Sequence, residues 1–170
     1  MLSMTKDQAI NLLSAAGNVV DVHDISETYA RVDFKSRGTT LNLYTDDNDP
    51  DFLYLVCSYS LPDGVDDELA VARILSKAQS DLKVAKLTAD FEHEYVAASA
   101  EQYIPQCDEF EGLFWRSVDL VMRAADRVMN EIHTLETTDK AAERFTRELE
   151  ASLQSKGEAN ESHGSATSDI

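Results

Sequence analysis

The sequence predicts an α+β fold: a small, mostly antiparallel sheet with helices packed on one face, in the order helix, three strands, helix, hairpin, long helix. Three observations predict it. Between Tyr29 and Leu61 the residues alternate with the two-residue period of strands. Apolar side chains recur at three- and four-residue spacing over 5–16, 66–82 and 105–135, as in helices with one buried side. Turn residues (Arg37-Gly38, Asp46 to Asp51, Leu61-Pro62-Asp63-Gly64) separate these runs.

Thr5 to Ala16 opens the chain as a helix. Thr5 and Gln8 have the spacing of a capping box, Ala9, Ile10, Leu12, Leu13 and Ala16 supply the apolar side, and Gly17 ends it at the C′ position. Val19 to Ile25 is short and ambiguous. Tyr29 to Phe34 sets Tyr29, Arg31 and Asp33 against Ala30, Val32 and Phe34, and Thr39 to Thr45 is a threonine-rich alternating run. Phe52 to Leu61 is the most strand-like stretch. Its Phe52, Tyr54 and Val56 oppose Leu53, Leu55 and Cys57, so both faces are apolar. That implies a central strand covered on two sides, or one covered by a helix and by a dimer partner. Asp66 caps a second helix to about Asp81, with Val71, Ile74, Leu75, Ala78 and Leu82 on its inner side. Lys83 to Thr88 and Glu92 to Ala100 read as a hairpin with Ala89 to Phe91 near its turn. No glycine marks that turn, so one long strand is the alternative.

Pro105 to Leu135 reads as the long amphipathic helix around which the rest is organised. Pro105 opens it, Asp108 and Glu109 suit its positive end, and Phe110, Phe114, Val118, Val121, Met122, Ala125, Val128, Met129, Ile132 and Leu135 share a face. Leu113, Leu120 and Ala124 widen the stripe on one flank and Trp115 on the other. These four are the candidate partner or dimer interface, because a single packing contact rarely needs so broad a stripe. Thr137-Thr138-Asp139 then caps a further helix, Lys140 to Leu153, or else the main helix runs on. After 154 the composition turns to Gly, Ser, Asn, Glu and Ala, which cannot offset ordering entropy. The expected organisation is one domain over 1–136, an additional helix over 137–153 and a disordered acidic tail over 154–170.

At 170 residues and 43% hydrophobic, the chain is long enough for one domain with a real core. Its 32 acidic and 15 basic residues give a net charge of −17. Such a surface repels nucleic acid and anionic membranes and favours basic or amphipathic polypeptides. Cys57 and Cys107 stand far apart, which fits neither a disulfide framework nor a zinc site. No secretory signal or membrane-length apolar run is present, so the expected setting is a reducing cytoplasm.

Three stretches carry a resemblance to a known family. They are Phe52-Leu53-Tyr54-Leu55-Val56-Cys57 with its Leu61-Pro62 exit, Leu82-Lys83-Val84-Ala85-Lys86-Leu87, and Ala100-Glu101-Gln102-Tyr103-Ile104-Pro105 before an acidic, aromatic helix start. With the element order, they resemble the YbjN-like family of small bacterial proteins, within the type III secretion chaperone-like fold. The resemblance implies a regulator or adaptor with no assigned catalytic residue. Secretion chaperones of that fold are small, acidic, usually dimeric, and hold an unfolded effector segment along apolar patches.

No motif argues for chemistry. Asp46 to Asp51 has alternate oxygens but lacks the loop glycine and the bidentate glutamate of a calcium loop, since Phe52 and Ser58 stand there. Asp21, His23 and Asp24, and likewise Glu92, His93 and Glu94, lack a third convergent ligand and read as surface polar residues. Cys57 reads as a buried small hydrophobe. The acidic neighbours Asp108 and Glu109 oppose ionisation of Cys107. The expectation is a non-enzymatic protein-binding module without cofactor or metal, chaperone-like or regulatory, recognising a polypeptide and forming a homodimer. The alternatives are a metal-dependent enzyme using the Asp and His residues of 21–24, or a structural subunit of a secretion-associated assembly.

Overall fold

The computed structural model describes residues 4–62, 65, 67–104 and 109–161, with side chains described as far as Arg147 except at 136, 137, 139 and 144. The elements are α1 (Lys6–Ala15), β1 (Val20–Asp24), β2 (Tyr29–Ser36), β3 (Thr39–Asp46), β4 (Phe52–Ser60), α2 (Glu68–Ser80), β5 (Ala85–Asp90), β6 (Tyr95–Tyr103) and α3 (Phe110–Glu161). The strands form one six-stranded antiparallel sheet in the order β1-β2-β3-β4-β6-β5. The expected α+β class holds, with four strands before α2 where the expected order had three. Contacts divide the chain into Met1–Ile132 and His133–Ile170.

Local chemistry sets the element ends. Thr5 caps α1 through a reciprocal box with Gln8, and Gly17 follows at φ +81, a left-handed conformation open to glycine. The ambiguous 19–25 run is a strand, because Val20 and Val22 pair with Phe34 and Val32 on one face while Asp21 and His23 pair with Asp33 and Arg31 on the other. The cap of α2 is Asp67, whose carboxylate accepts from the Ala70 N–H at 2.9 Å. The expected cap, Asp66, lies outside the described residues. Residues 83–100 do form a hairpin, with its turn after Asp90. The Asp90 carboxylate accepts from the His93 N–H at 3.0 Å, and Glu94 takes the left-handed place a glycine would fill, at φ 54.

Of the two readings beyond Leu135, the continuous helix is the one present. The Thr138 hydroxyl donates back to the Thr134 carbonyl at 2.8 Å, staying within the helix where a new cap was expected. A separate helix over 137–153 is therefore absent, and 154–161 of the expected tail belongs to α3. The helix start expected at Pro105 and the last residues, 162–170, lie outside the described residues. Within His133–Ile170 the helix is polar: Phe145 is 67% exposed, and Glu143 pairs with Arg147 at 3.2 Å.

Within Met1–Ile132 all three helices lie against one face of the sheet. Val32 and Phe34 of β2, Leu41 and Leu43 of β3, and Leu53 and Leu55 of β4 pack with Ala9 and Leu13 of α1 and with Phe114, Val118 and Val121 of α3. A second cluster joins Val71, Leu75 and Ala78 of α2 to Val96, Val128, Met129 and Ile132. Burial of each large side chain contributes about 1.5–3 kcal/mol before ordering costs. Tyr59 touches both clusters, and its hydroxyl donates to Asp126 Oδ1 at 2.8 Å. Burial pushes its phenol up to about 12.

The Asp46 to Asp51 turn is more than a solvated hairpin. Pro50 O accepts from Met4 N–H at 2.7 Å, Asp51 O from Ile104 N–H at 2.8 Å, and Asp47 Oδ1 from Lys6 N–H at 3.1 Å. Those contacts fasten the start of α1 and the end of β6 to one loop. The sheet is thereby held at one end.

Candidate binding surface

Directly opposed residues in an antiparallel sheet share a face, so the register also defines the face away from the helices. It carries Asp21 and His23 of β1, Tyr29, Arg31 and Asp33 of β2, Asn42 and Tyr44 of β3, Phe52, Tyr54 and Val56 of β4, Ser99, Glu101 and Tyr103 of β6, and Lys86 of β5. No helix of Met1–Ile132 covers this face among the described residues. Alternation is therefore real in β4. Leu53, Leu55 and Cys57 are buried under the helices, and Phe52, Tyr54 and Val56 are half-buried on the open face.

Three tyrosines from three strands stack across it. Tyr29 and Tyr44 have ring centroids 6.0 Å apart at 22°, and Tyr44 and Tyr54 are 5.0 Å apart at 26°. Beside them Phe52 and Tyr103 pack at 5.3 Å, and Tyr103 remains 69% exposed. Offset ring pairs of this kind add about 0.5–1.5 kcal/mol beyond area burial and hold the rings in one orientation. Burial is the largest cause that raises the phenols of Tyr29 and Tyr54 above their ordinary value.

Several of the charged and polar groups on this face contact one another. Arg31 Nε lies 2.9 Å from Asp33 Oδ1, Lys86 pairs with Glu101, and His23 Nε2 lies 3.2 Å from Asp33 and 3.3 Å from Asp21. Asn42 donates to Asp33 Oδ1 at 2.7 Å. The result is an aromatic band framed by charged and polar groups, Asp46 opposite Tyr29 among them, on a chain of net charge −17.

The residues singled out on the long helix sit differently. Ala124 is 3% exposed and belongs to the core, because α3 turns that flank onto the sheet. Leu113, Trp115 and Leu120 are half-buried and pack against the same core, with Trp115 edge-on to Phe114 at 5.0 Å. His93 bonds Asp90 within its hairpin at 2.9 Å, apart from Asp21 and His23. Among the described residues no group of three or more His, Cys, Asp and Glu is placed to hold a metal ion. Cys57 is buried, and burial pushes its thiol up to about 11. Cys107 lies outside the described residues. The tyrosine row was not anticipated, because its members come together only through strand pairing. The one signal for it was the apolar second face of β4.

Comparison with known proteins adds two folds of the same kind. An uncharacterized protein from Methanothermobacter thermautotrophicus superposes with a TM-score of 0.57 at 13% identity, over 76% of this chain and 96% of its own. YbjN from E. coli, provisionally described as a transcription regulator, superposes with a TM-score of 0.51 at 12% identity, over 73% of this chain and 88% of its own. The likeness is one of fold. No protein-family model matches the sequence, and no curated protein matches it. Neither structural neighbour is described as an enzyme. Among the described residues no helix is long and apolar enough to cross a membrane.

Proposed function

We propose that this protein is a non-enzymatic binding module, a regulatory or chaperone-like adaptor that holds a segment of another polypeptide against the open face of its sheet. The observation that carries the reading is the stacked Tyr29–Tyr44–Tyr54 row with Phe52 and Tyr103 beside it on a face no helix of its own unit covers. Tyrosines present large, rigid contact area at low entropic cost, and their hydroxyls accept or donate at the rim of a contact. Arg31 with Asp33 and Lys86 with Glu101 are already paired, so a partner need not strip water from those four charges as bare ions to lie there. The strong negative charge of the whole chain steers basic or amphipathic segments toward it. A regulatory role like that ascribed to YbjN would work here through protein contacts, since −17 opposes approach to a phosphate backbone.

The test compares the wild-type chain with a Tyr44→Ser/Tyr54→Ser variant whose fold is checked by circular dichroism. Polypeptides retained by immobilised wild type are identified by mass spectrometry and titrated back onto both. A partner that binds wild type and loses at least tenfold in affinity for the variant supports the reading. Equal binding to both, or turnover of a small compound by the wild type, overturns it.

A further inference from the structure

The two edges of the sheet are finished differently. On β5 the side chain of Gln79, from α2, stands in for a neighbouring strand. Its Nε2 donates to Ala85 O at 3.0 Å and its Oε1 accepts from the Leu87 N–H at 2.7 Å. Two outward backbone groups of that edge are thus occupied, which shields its first half. Among the described residues β1 has no such cover. Asp21 to Asp24 are all exposed, and large apolar side chains line the edge with Val19 at 89%, Val22 at 36% and Ile25 at 56% exposure.

The ladder fixes which backbone groups are open. Ile25 N–H donates to Tyr29 O at 2.9 Å, and the register runs without a bulge from Asp24↔Ala30 to Val20↔Phe34. Bonded and non-bonded pairs alternate in an antiparallel ladder. His23 and Asp21 therefore bond to β2, while Val20, Val22 and Asp24 turn N–H and C=O outward.

We propose that β1 pairs with β1 of a second copy, antiparallel, about a two-fold axis through Val22, joining two sheets into one. The residues about Val22 are complementary to themselves under that rotation. Val22 meets Val22 of the second copy, Asp21 meets the second copy's His23, and Val19 meets its Ile25. The Asp21–His23 positions form a non-bonded pair, the kind in which opposed Cα atoms come within about 4.5 Å, so carboxylate and imidazole are in reach. Asp24 falls opposite Val20, but Lys6 Nζ already holds that carboxylate at 2.9 Å. Neighbouring registers are worse: an axis through Asp21 sets two carboxylates face to face, and an axis through His23 sets Asp21 against Ile25. A slip of one residue would put helical faces opposite open ones. At physiological ionic strength the Debye length is about 8 Å, so charges far from the seam are largely screened from the second copy.

The experiment is the mass of the full chain by analytical ultracentrifugation, over micromolar to hundreds-of-micromolar concentration. Wild type is expected to dimerise. Val22→Pro removes an outward N–H that β2 does not use, and is expected to weaken dimerisation at least tenfold while circular dichroism is unchanged. Val22→Cys gives the second readout. Bonded pairs stand about 5.5 Å apart at Cα, so a short bis-maleimide should link the two copies through position 22. Should Val22→Pro misfold, the Val22→Cys cross-link decides. A wild type that stays monomeric overturns the proposal, including the case in which β1 takes an extended segment of a different protein. So does a dimer that a folded Val22→Pro leaves intact, or a cross-link confined to the native cysteines.

Discussion

Replacing Gln79 with alanine removes the cover of the β5 edge without touching the sheet ladder, which makes its cost readable. Two hydrogen bonds are lost, to Ala85 O and from Leu87 N–H. Each is worth about 0.5–1.5 kcal/mol net, and because Gln79 is itself half-buried, water reaches the released groups. The expected loss is therefore in the lower half of the sum, about 1–2 kcal/mol. In a unit of this size that lowers Tm by roughly 3–10 °C. Urea denaturation measures the stability, and hydrogen exchange at the Leu87 amide measures the edge directly. Gln79→Met, which keeps helix propensity and volume, should show the same loss and so exclude packing as its cause. An unchanged exchange rate at Leu87, together with stability within about 0.5 kcal/mol of wild type, would refute the assignment of Gln79 as an edge cover.

Other consequences follow from burial. Leu113→Asp or Leu120→Asp places a carboxylate on side chains that pack against the core, so each should destabilise the fold by about 1–3 kcal/mol in urea titration; full stability with reduced partner binding would point to a surface role only. Cys57, its thiol raised by burial to about 11, should resist iodoacetamide at pH 8 and react once urea is added; rapid native labelling of the Cys57 peptide would contradict its placement. Alkali should unfold the protein early. Cys57 and Tyr59 have folded values near 11 and 12 against ordinary values of 9.0 and 10.0, so above pH 9 the unfolded chain releases protons first and stability falls through that window. A urea midpoint flat from pH 8.5 to 11 would go against this.

The sequence states what is local and leaves out what depends on pairing. Thr5 with Gln8, the following Gly17, and the alternation of β2 and β4 were legible because each is encoded within a few neighbouring residues. The expected end of the long helix was not, since Thr137-Thr138-Asp139 has the composition of a cap while Thr138 bonds back into its own helix. The burial of Ala124 is illegible for a different reason: periodicity gives the width of a stripe, and only the sheet beneath it decides which flank turns inward. The tyrosine row needs the register of three strands at once. Tyr29, Tyr44 and Tyr54 are unremarkable individually, and no spacing rule within one segment joins them.

The fastening at the β3–β4 loop has a consequence for divergence. The hydrogen bonds from Met4 to Pro50 and from Ile104 to Asp51 run from main chain to main chain, so they are indifferent to what the side chains become. Almost any residue can replace the donor without undoing the joint; proline alone lacks the proton to make it. Ties of that sort make an architecture tolerant of many spellings, and they suit a shape found also in proteins that match it at only 12–13% of positions.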